Sequence, residues 1–552
     1  MTTVLRRAIR HAVTASCVGA ACAGAAWAQG APCRTDTLTA GFPKEWIGAR
    51  VGQLSVDATT VEAPAGFAGN VVRSLHSRTR FSIPMYEMSM TPGAPVDSLN
   101  VLESVRRLRR TGLYSEVTLT GTRCGDGPLD LVAHTRDAWS LRTDLRYGRT
   151  SSRVSLSEVN LFGRAVTASV TAENVDTRSS VAVGVSDPYL FGSHLRGSVV
   201  MRAYDDGRSW SWFVRSAEYS PRDLWRFSLL SVQLRRYRND AVTGLEDISR
   251  RTDAASAAWR IDEDDRRVYA LVFGAEHETA ELRVQHTGSM LGKTEVSREF
   301  TAPLIGITRR SLDVGSIDWL VPGQPVAELP LGFQGEIVTG LGYETHSKST
   351  IVHLDGWLGL TLKPTRSTVV TGDVWASGYY LTDSLSNGTL RASASVFERG
   401  LGGIWALRVA SERLVNPDPD VYALSTSDPV LRSLAPSTRL AESAVTVSLE
   451  RSITVYSTEG RWALDAVPFV QYSERHRSVD ITLPEPTNPQ AMLIGIGWRR
   501  VRNQPTQAPL RLDIAKTVWL SGGLPNRWVF VLSTQPWLAF GRNRDGLREI
   551  VR

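Results

Sequence analysis

From Trp139 onward the chain keeps a two-residue rhythm. Along Leu510 to Val518, Leu510, Leu512, Ile514 and Val518 share one parity, while Arg511, Asp513, Ala515 and Thr517 take the other. Along Ala444 to Glu450, Val445, Val447 and Leu449 alternate with Ala444, Thr446, Ser448 and Glu450. Trp528, Phe530, Leu532, Leu538 and Phe540 fall on one side of a last segment, and 195–204 and 352–360 repeat the habit. Such alternation puts apolar side chains on one face of a strand and polar ones on the other. Gly, Asp, Asn and Pro mark the turns between. At about 25 residues per strand and connection, the stretch 137–540 holds roughly 16 strands.

Residues 42–136 follow a different rhythm. Val51 to Val61 alternates as a strand, and a short helix is predicted over Phe67 to Ser77. A stronger helix follows Asp97-Ser98, which can cap its free N–H groups. Within it Leu99, Leu102, Val105 and Leu108 recur at helical spacing, and Gly112 supplies the stop. Strands Tyr114–Thr120 and Leu129–His134 then flank the turn Cys124-Gly125-Asp126-Gly127. Strand, two helices and two strands make one small α/β sandwich.

Alternation alone would also suit a soluble β-sandwich. The N-terminus argues otherwise. Arg6, Arg7, Arg10 and His11 precede a small-residue apolar run, Ala12 to Trp27, that ends in Ala26-Trp27-Ala28 before Gln29. This reads as a Sec signal peptide cleaved after Ala28. A lipidation site at Cys22 fits less well, because Gly19 stands where a larger aliphatic residue is usual. Strands of ten or more residues suit a tilted crossing of hydrocarbon. Trp210, Trp212, Trp498, Trp519 and Trp528, among 16 Trp, are expected near strand ends as interfacial girdles. Closing the sheet pairs every backbone polar group, as lipid requires.

The predicted fold is therefore mainly β: a 16-stranded antiparallel transmembrane β-barrel preceded by one small α/β domain. The division is signal peptide 1–28, linker 29–41, α/β domain 42–136, barrel 137–540 and tail 541–552. With 42% hydrophobic and 22% charged residues the chain could pass for a soluble protein. Strands that show lipid only every second side chain produce that same average. No run of 18 apolar residues follows the N-terminus, which excludes helical spans.

Charge changes the picture little. The 552 residues carry a formal +7, but the arginines are scattered through strand-like sequence. The one dense run, Arg106-Arg107-Leu108-Arg109-Arg110, lies on a helix and reads as a solvated face. An exported chain of this kind has no nucleic-acid partner. Cys17 and Cys22 leave with the signal. Cys33 and Cys124 remain in an oxidising compartment and flank the same small domain, so a disulfide is favoured over two free thiols. His277-Glu278-Thr279-Ala280-Glu281 lacks the second His of a zinc helix and lies in strand-like sequence. No Gly-rich phosphate loop and no Ser–His–acid set can be nominated. No catalytic residue, metal or cofactor is predicted.

The ordered motifs resemble a known family. LESVRRLRRTGLYSEVTLTG (102–121) is similar to the helix, turn and strand that close a POTRA domain. TRDAWSL (135–141), SLSEVNLFGRAV (155–166) and VGVSDPYLFGSHL (183–195) resemble the first strands and turns of the barrels that follow such domains. LIGIGWRRVRNQPTQAPLRLDIAKTVW (493–519) and RWVFVLSTQPWLAF (527–540) resemble their last strands. Together these pieces resemble the BamA/TamA-type superfamily of outer-membrane assembly and translocation barrels. In that family an Arg in a long extracellular loop folds back into the lumen, normally within [VL]-R-G-[FY]. By resemblance Arg432, in LRSLAPSTRL (431–440), is the lid Arg and Glu450 a carboxylate partner, and Glu450 also has lumen parity. Ser433 and Leu434 depart from the motif. Gln471 stands where the family has an acid, and Asp465, of the same parity, is the candidate substitute.

The resemblance implies insertion of β-barrel proteins into the outer membrane, or translocation across it. A lateral seam would lie between a first strand, Trp139 to Tyr147, and a last strand, Trp528 to Phe540, with Phe530 on its outer face. Expected partners are unfolded outer-membrane or secreted client polypeptides, periplasmic or lipoprotein accessory subunits, and outer-membrane lipid. A two-partner secretion pore and a non-transport structural barrel are the alternatives. Gly495 and Gly497 are expected to mark a strand bend or close packing.

Overall fold

The computed structural model describes residues 33–38, 42–61, 76–147, 151–175, 178–216, 223–240, 244–264, 266–285, 294–320, 327–381, 384–416, 418, 443–458, 462–476, 490–502, 510–520 and 528–534. The signal peptide, the helix expected within 67–77 as far as residue 75, Arg432, Phe540 and the tail lie outside these residues.

The small domain is a sheet with two helices. β1 (Cys33–Thr37), β2 (Val51–Thr59), β3 (Tyr114–Cys124) and β4 (Leu129–Asp137) lie in the order β1-β3-β4-β2. β3 and β4 form an antiparallel hairpin, and β2 runs parallel to β4. α1 (Ser82–Glu87) was not expected, whereas α2 (Ser98–Arg110) starts and stops where its signals stand. Asp97 Oδ1 accepts from the Leu99 N–H at 3.0 Å, and Gly112 takes φ +67°. Val101, Val105 and Leu108 share one core with Leu119, Leu131 and Ala133 of the sheet. Arg107, in the basic run, is buried and pairs with Glu87 at 2.9 Å. It is no part of a solvated face.

β1 corrects the linker drawn over 29–41. Its five residues are polar and mostly exposed, so no alternation announces an edge strand that only borrows the rim of β3. Cys33 stands opposite Cys124 in that pairing, and the two are disulfide-bonded.

The barrel opens with β5 (Leu141–Tyr147), β6 (Ser151–Leu161), β7 (Val166–Val175), β8 (Arg178–Asp187) and β9 (Leu195–Tyr204). It continues through β10 (Gly207–Ser216), β11 (Trp225–Asp240), β12 (Gly244–Glu263), β13 (Arg267–Gln285) and β14 (Thr294–Ser311). A separate hairpin follows, β15 (Val314–Ile317) with β16 (Ala327–Pro330). The wall resumes with β17 (Gly332–Glu344), β18 (Ser349–Leu362), β19 (Thr368–Leu381), β20 (Ser384–Gly400) and β21 (Gly403–Val415). β22 (Ser443–Thr458), β23 (Trp462–His476), β24 (Gln490–Arg502), β25 (Leu510–Leu520) and β26 (Trp528–Ser533) complete it. Each strand is antiparallel to the next, and β26 returns to β5 in a closed barrel of 20 strands.

Twenty replaces the expected 16 because several connections are far shorter than assumed. Asp205-Asp206 alone joins β9 to β10, and Leu401-Gly402 alone joins β20 to β21. The last described strand also stops at Ser533, short of the predicted end at Phe540. Trp519 and Trp528 do sit at strand ends, but Trp210 and Trp212 fall in the middle of β10.

Side-chain parity follows the sequence rhythm. In β25, Leu510, Leu512 and Val518 are exposed on the outer face, while Arg511, Asp513, Ala515 and Thr517 are buried within. The small domain meets one end of the barrel, called the near end, through the turns 161–165 and 188–192. Val159, Ala165 and Tyr189 join its core. The β15–β16 hairpin belongs to the same end. Its Ile317, Trp319, Leu320 and Leu329 pack on Val369, Phe397 and Ala406 of the wall, and Trp319 Nε1 donates to the Arg366 carbonyl at 3.0 Å.

Candidate functional site

Among the described residues, the seam is the thinnest joint of the barrel. β26 has six residues and meets β5 in two register pairs, Leu532↔Tyr147 and Ser533↔Arg146. By contrast β12 and β13 pair from Leu245↔Gln285 to Glu263↔Val268. Just past β26, Thr534 extends the joint. Its N–H donates to the Leu145 carbonyl at 2.9 Å, and its hydroxyl accepts from the Leu145 N–H at 2.8 Å. The same hydroxyl donates to Asp144 Oδ1 at 2.6 Å. Tyr147, Trp528 and Phe530 are exposed on the outer face beside the joint. Trp139 precedes β5 and lies outside the ladder. β5 is tied to the small domain by Arg142, which donates to the Gly112 carbonyl at 2.7 Å.

Inside the wall near the seam, Glu450, Asp465 and Gln471 are all buried, as their parity requires. Wall arginines serve Glu450: Arg499 lies 3.5 Å and Arg511 3.4 Å from its carboxylate. Arg511 Nε also pairs with Asp513 at 2.6 Å. Asp465 accepts from Ser452 at 3.0 Å and Thr454 at 2.8 Å. The structure thus gathers Glu450, Asp465, Arg499, Arg511 and Asp513, and two of these cations were missed. Arg511 was visible on the polar parity of its strand.

Close packing is present at both glycines. A Cβ at Gly495 would come within 2.4 Å of Phe469 Cζ, and one at Gly497 within 2.3 Å of Asp513 Oδ1. The missing side chain at 495 is the room the Phe469 ring occupies.

A second buried cluster lies on the wall of β12–β14, β18 and β19. Arg298 bonds Glu278 at 2.6 Å and Asp418 at 2.7 and 3.1 Å, and Arg250 bonds the same Asp418 carboxylate. Tyr379 donates to Glu276 at 3.2 Å and to Glu278 at 3.1 Å. His353 Nδ1 stands 2.9 Å from Glu276. Asp418 follows β21, at the end of the barrel remote from the small domain, and reaches partners on β12 and β14. The Asp418 carboxylate, beyond the end of β21, thus joins wall arginines of two strands that are not neighbours of β21. In the rejected metal motif, His277 is half-buried and bonds Thr301 at 3.0 Å, whereas Glu278 is buried with the lumen-facing cluster. The pleat sends the two side chains to opposite faces. Among the described residues no group of three His, Cys, Asp or Glu is placed to hold a metal.

No family model and no curated protein matches the chain. Solved structures do. BamA from Haemophilus ducreyi, lacking POTRA domains 1–3, aligns over 91% of this chain and 89% of its own, with 12% identity and a TM-score of 0.34. CdiB from Acinetobacter baumannii aligns over 90% and 77%, with 10% identity and a TM-score of 0.40. The alcaligin outer-membrane receptor FauA from Bordetella pertussis aligns over 76% and 81%, with 11% identity and a TM-score of 0.33. BamA, the barrel type that the sequence motifs resemble, is among the matches.

Proposed function

We propose that this chain is an outer-membrane β-barrel whose small domain is a periplasmic POTRA module and whose seam opens sideways to insert client strands into the membrane. The seam carries the reading: among the described residues two register pairs and one threonine close it, whereas the neighbouring β25–β26 joint already has six pairs. Opening it in lipid leaves backbone N–H and C=O groups without partners, so a client strand is drawn to the edge. The near-end domain offers extended chains a sheet rim to pair with on the way. Unfolded barrel proteins are the clients, periplasmic or lipoprotein subunits the accessories, and no step is enzymatic. Secretion through the lumen is the second reading. The lumen holds the β15–β16 hairpin and the Asp418 bridge, which favours the seam as the route.

Arg146→Cys with Ser533→Cys tests it. The Leu145–Thr534 bonds make the adjacent 146–533 pair the close-spaced, non-hydrogen-bonded kind, which suits a disulfide. Oxidised cells should lose barrel proteins broadly from the outer membrane, and a reductant should restore them. Loss of one secreted polypeptide alone would favour translocation, and an unchanged outer-membrane proteome would end the seam reading.

A further inference from the structure

Two near-end turns share one tripeptide and one geometry. Leu161-Phe162-Gly163 joins β6 to β7, and Leu190-Phe191-Gly192 joins β8 to β9. Phe162 and Phe191 both have φ 56°, with Gly163 at 72° and Gly192 at 71°. The hydrogen bonds repeat as well. Gly163 N–H donates to the Asn160 carbonyl and Gly192 N–H to the Tyr189 carbonyl, each at 2.8 Å. Arg164 and Ser193 N–H groups then donate to the Leu161 and Leu190 carbonyls at 3.2 and 3.1 Å.

In both turns the residue two before Phe is anchored in the small domain. Asn160 Nδ2 donates to the Ser77 carbonyl and to Thr79 Oγ1, both at 2.9 Å. Tyr189 is buried against Tyr86 and donates to Glu87. Burial, with Glu87 beside it, pushes the Tyr189 hydroxyl far above its ordinary range, so it remains a donor. Phe162 and Phe191, however, stay 71% and 91% exposed. The left-handed region is unfavourable for a bulky L residue, and Asn or Gly would fill it with less strain. Strain held twice to present the same large apolar ring points to something that the ring touches. Phe81 adds a third exposed ring, because the Arg80 N–H bonds the Gly163 carbonyl at 2.9 Å.

We propose that Phe162 and Phe191, with Phe81, dip into the near-leaflet phospholipid and seat the junction of domain and barrel on the membrane. This rests on the membrane-barrel reading above. Continuity with the apolar belt identifies the occupant. Leu156, Val170, Val183 and Val185 form the exposed outer face of the same strands, and Val185 stands two residues from the end of β8, about 7 Å. Exposed Arg80 and Arg164 flank Phe81 and Phe162 in sequence, a cationic and aromatic pairing that suits anionic headgroups.

The test uses the full chain with Cys17→Ser and Cys22→Ser, refolded into phosphatidylethanolamine–phosphatidylglycerol vesicles. An environment-sensitive thiol dye is placed at Phe162→Cys, Phe191→Cys or Val183→Cys, and doxyl lipids quench it at shallow or deep positions. The two turn sites should be quenched by the shallow lipid and Val183→Cys by the deep one. A second set places the dye at Arg164→Cys, with both rings intact or with Phe162→Ser and Phe191→Ser. Removing the rings should cut shallow quenching at least about twofold. Deep quenching at Val183→Cys with water-like emission at both turn sites would overturn the anchor alone, as would quenching at Arg164→Cys that ignores the rings. No quenching at Val183→Cys would overturn the membrane barrel, and the anchor with it.

Discussion

The seam and the wall opposite it are made from the same alternating pattern and differ in how much joins them. Counted round the ring, β14 and β17 stand farthest from the β26–β5 joint. On that side β12, β13 and β14 have 20, 19 and 18 residues, and the β12–β13 and β13–β14 ladders are interrupted only at Arg260/Asp262. Their inner face is bound again by Arg250, Arg298 and the Asp418 carboxylate. At the seam β26, of six residues, meets β5, of seven, in two register pairs among the described residues, and the Thr534 side chain adds to what the ladder supplies. A closed sheet can thus have one weak joint without losing closure. Local opening begins where few buried hydrogen bonds must break, so free energy of opening is distributed unevenly round the ring.

The largest expected effect lies on the strong side. Arg298→Met leaves the Glu278 and Asp418 carboxylates buried without their main cation. Breaking a buried pair in this way costs roughly 3 kcal/mol. Urea unfolding of the refolded barrel, followed by heat-modifiable migration, should show a lower midpoint. The thiol-labelling rate of Ser533→Cys, a completely buried seam residue, should not change. If labelling accelerated in proportion, seam and wall would be one cooperative unit and the contrast between them would fail.

Gly495→Ala probes the ground between, because β24 stands two strands from the seam. The added methyl meets Phe469 and the Ile514 carbonyl, and an overpacked site of this kind costs about 2 kcal/mol. Phe469→Leu in the same chain should recover part of the loss. A double-mutant cycle with no coupling would show that ring and glycine are independent.

Much of this was legible in the chain. Parity placed Glu450, Asp465 and Gln471 inside before any coordinates, because a pleated strand sends neighbours to opposite faces. Asp97 and Gly112 bounded α2 for equally local reasons. The strand count was not legible. The upper part of β12 carries Asp247, Ser249, Arg251 and Asp253 on the parity of Trp259, so alternation fades where both faces are polar. Asp418 left no signal either. Its partners lie 168 and 120 residues earlier, and nothing local distinguishes a loop aspartate that will cross a lumen.

Thr534→Val is the smallest and sharpest change. Valine keeps the shape and the backbone N–H bond to the Leu145 carbonyl, and deletes only the hydroxyl. The Leu145 N–H then loses its acceptor and Asp144 its donor. One net hydrogen bond is worth about 1 kcal/mol, which raises seam opening about fivefold. Labelling of Ser533→Cys should accelerate by that factor, while the urea midpoint stays near that of the unaltered barrel. Thr339→Val removes a comparable bond on β17, from Thr339 Oγ1 to the His353 carbonyl at 3.1 Å, and should leave the labelling rate alone. Equal acceleration by the two variants would mean that the hydroxyl at 534 merely decorates the joint, and that the short ladder alone sets how often the barrel opens.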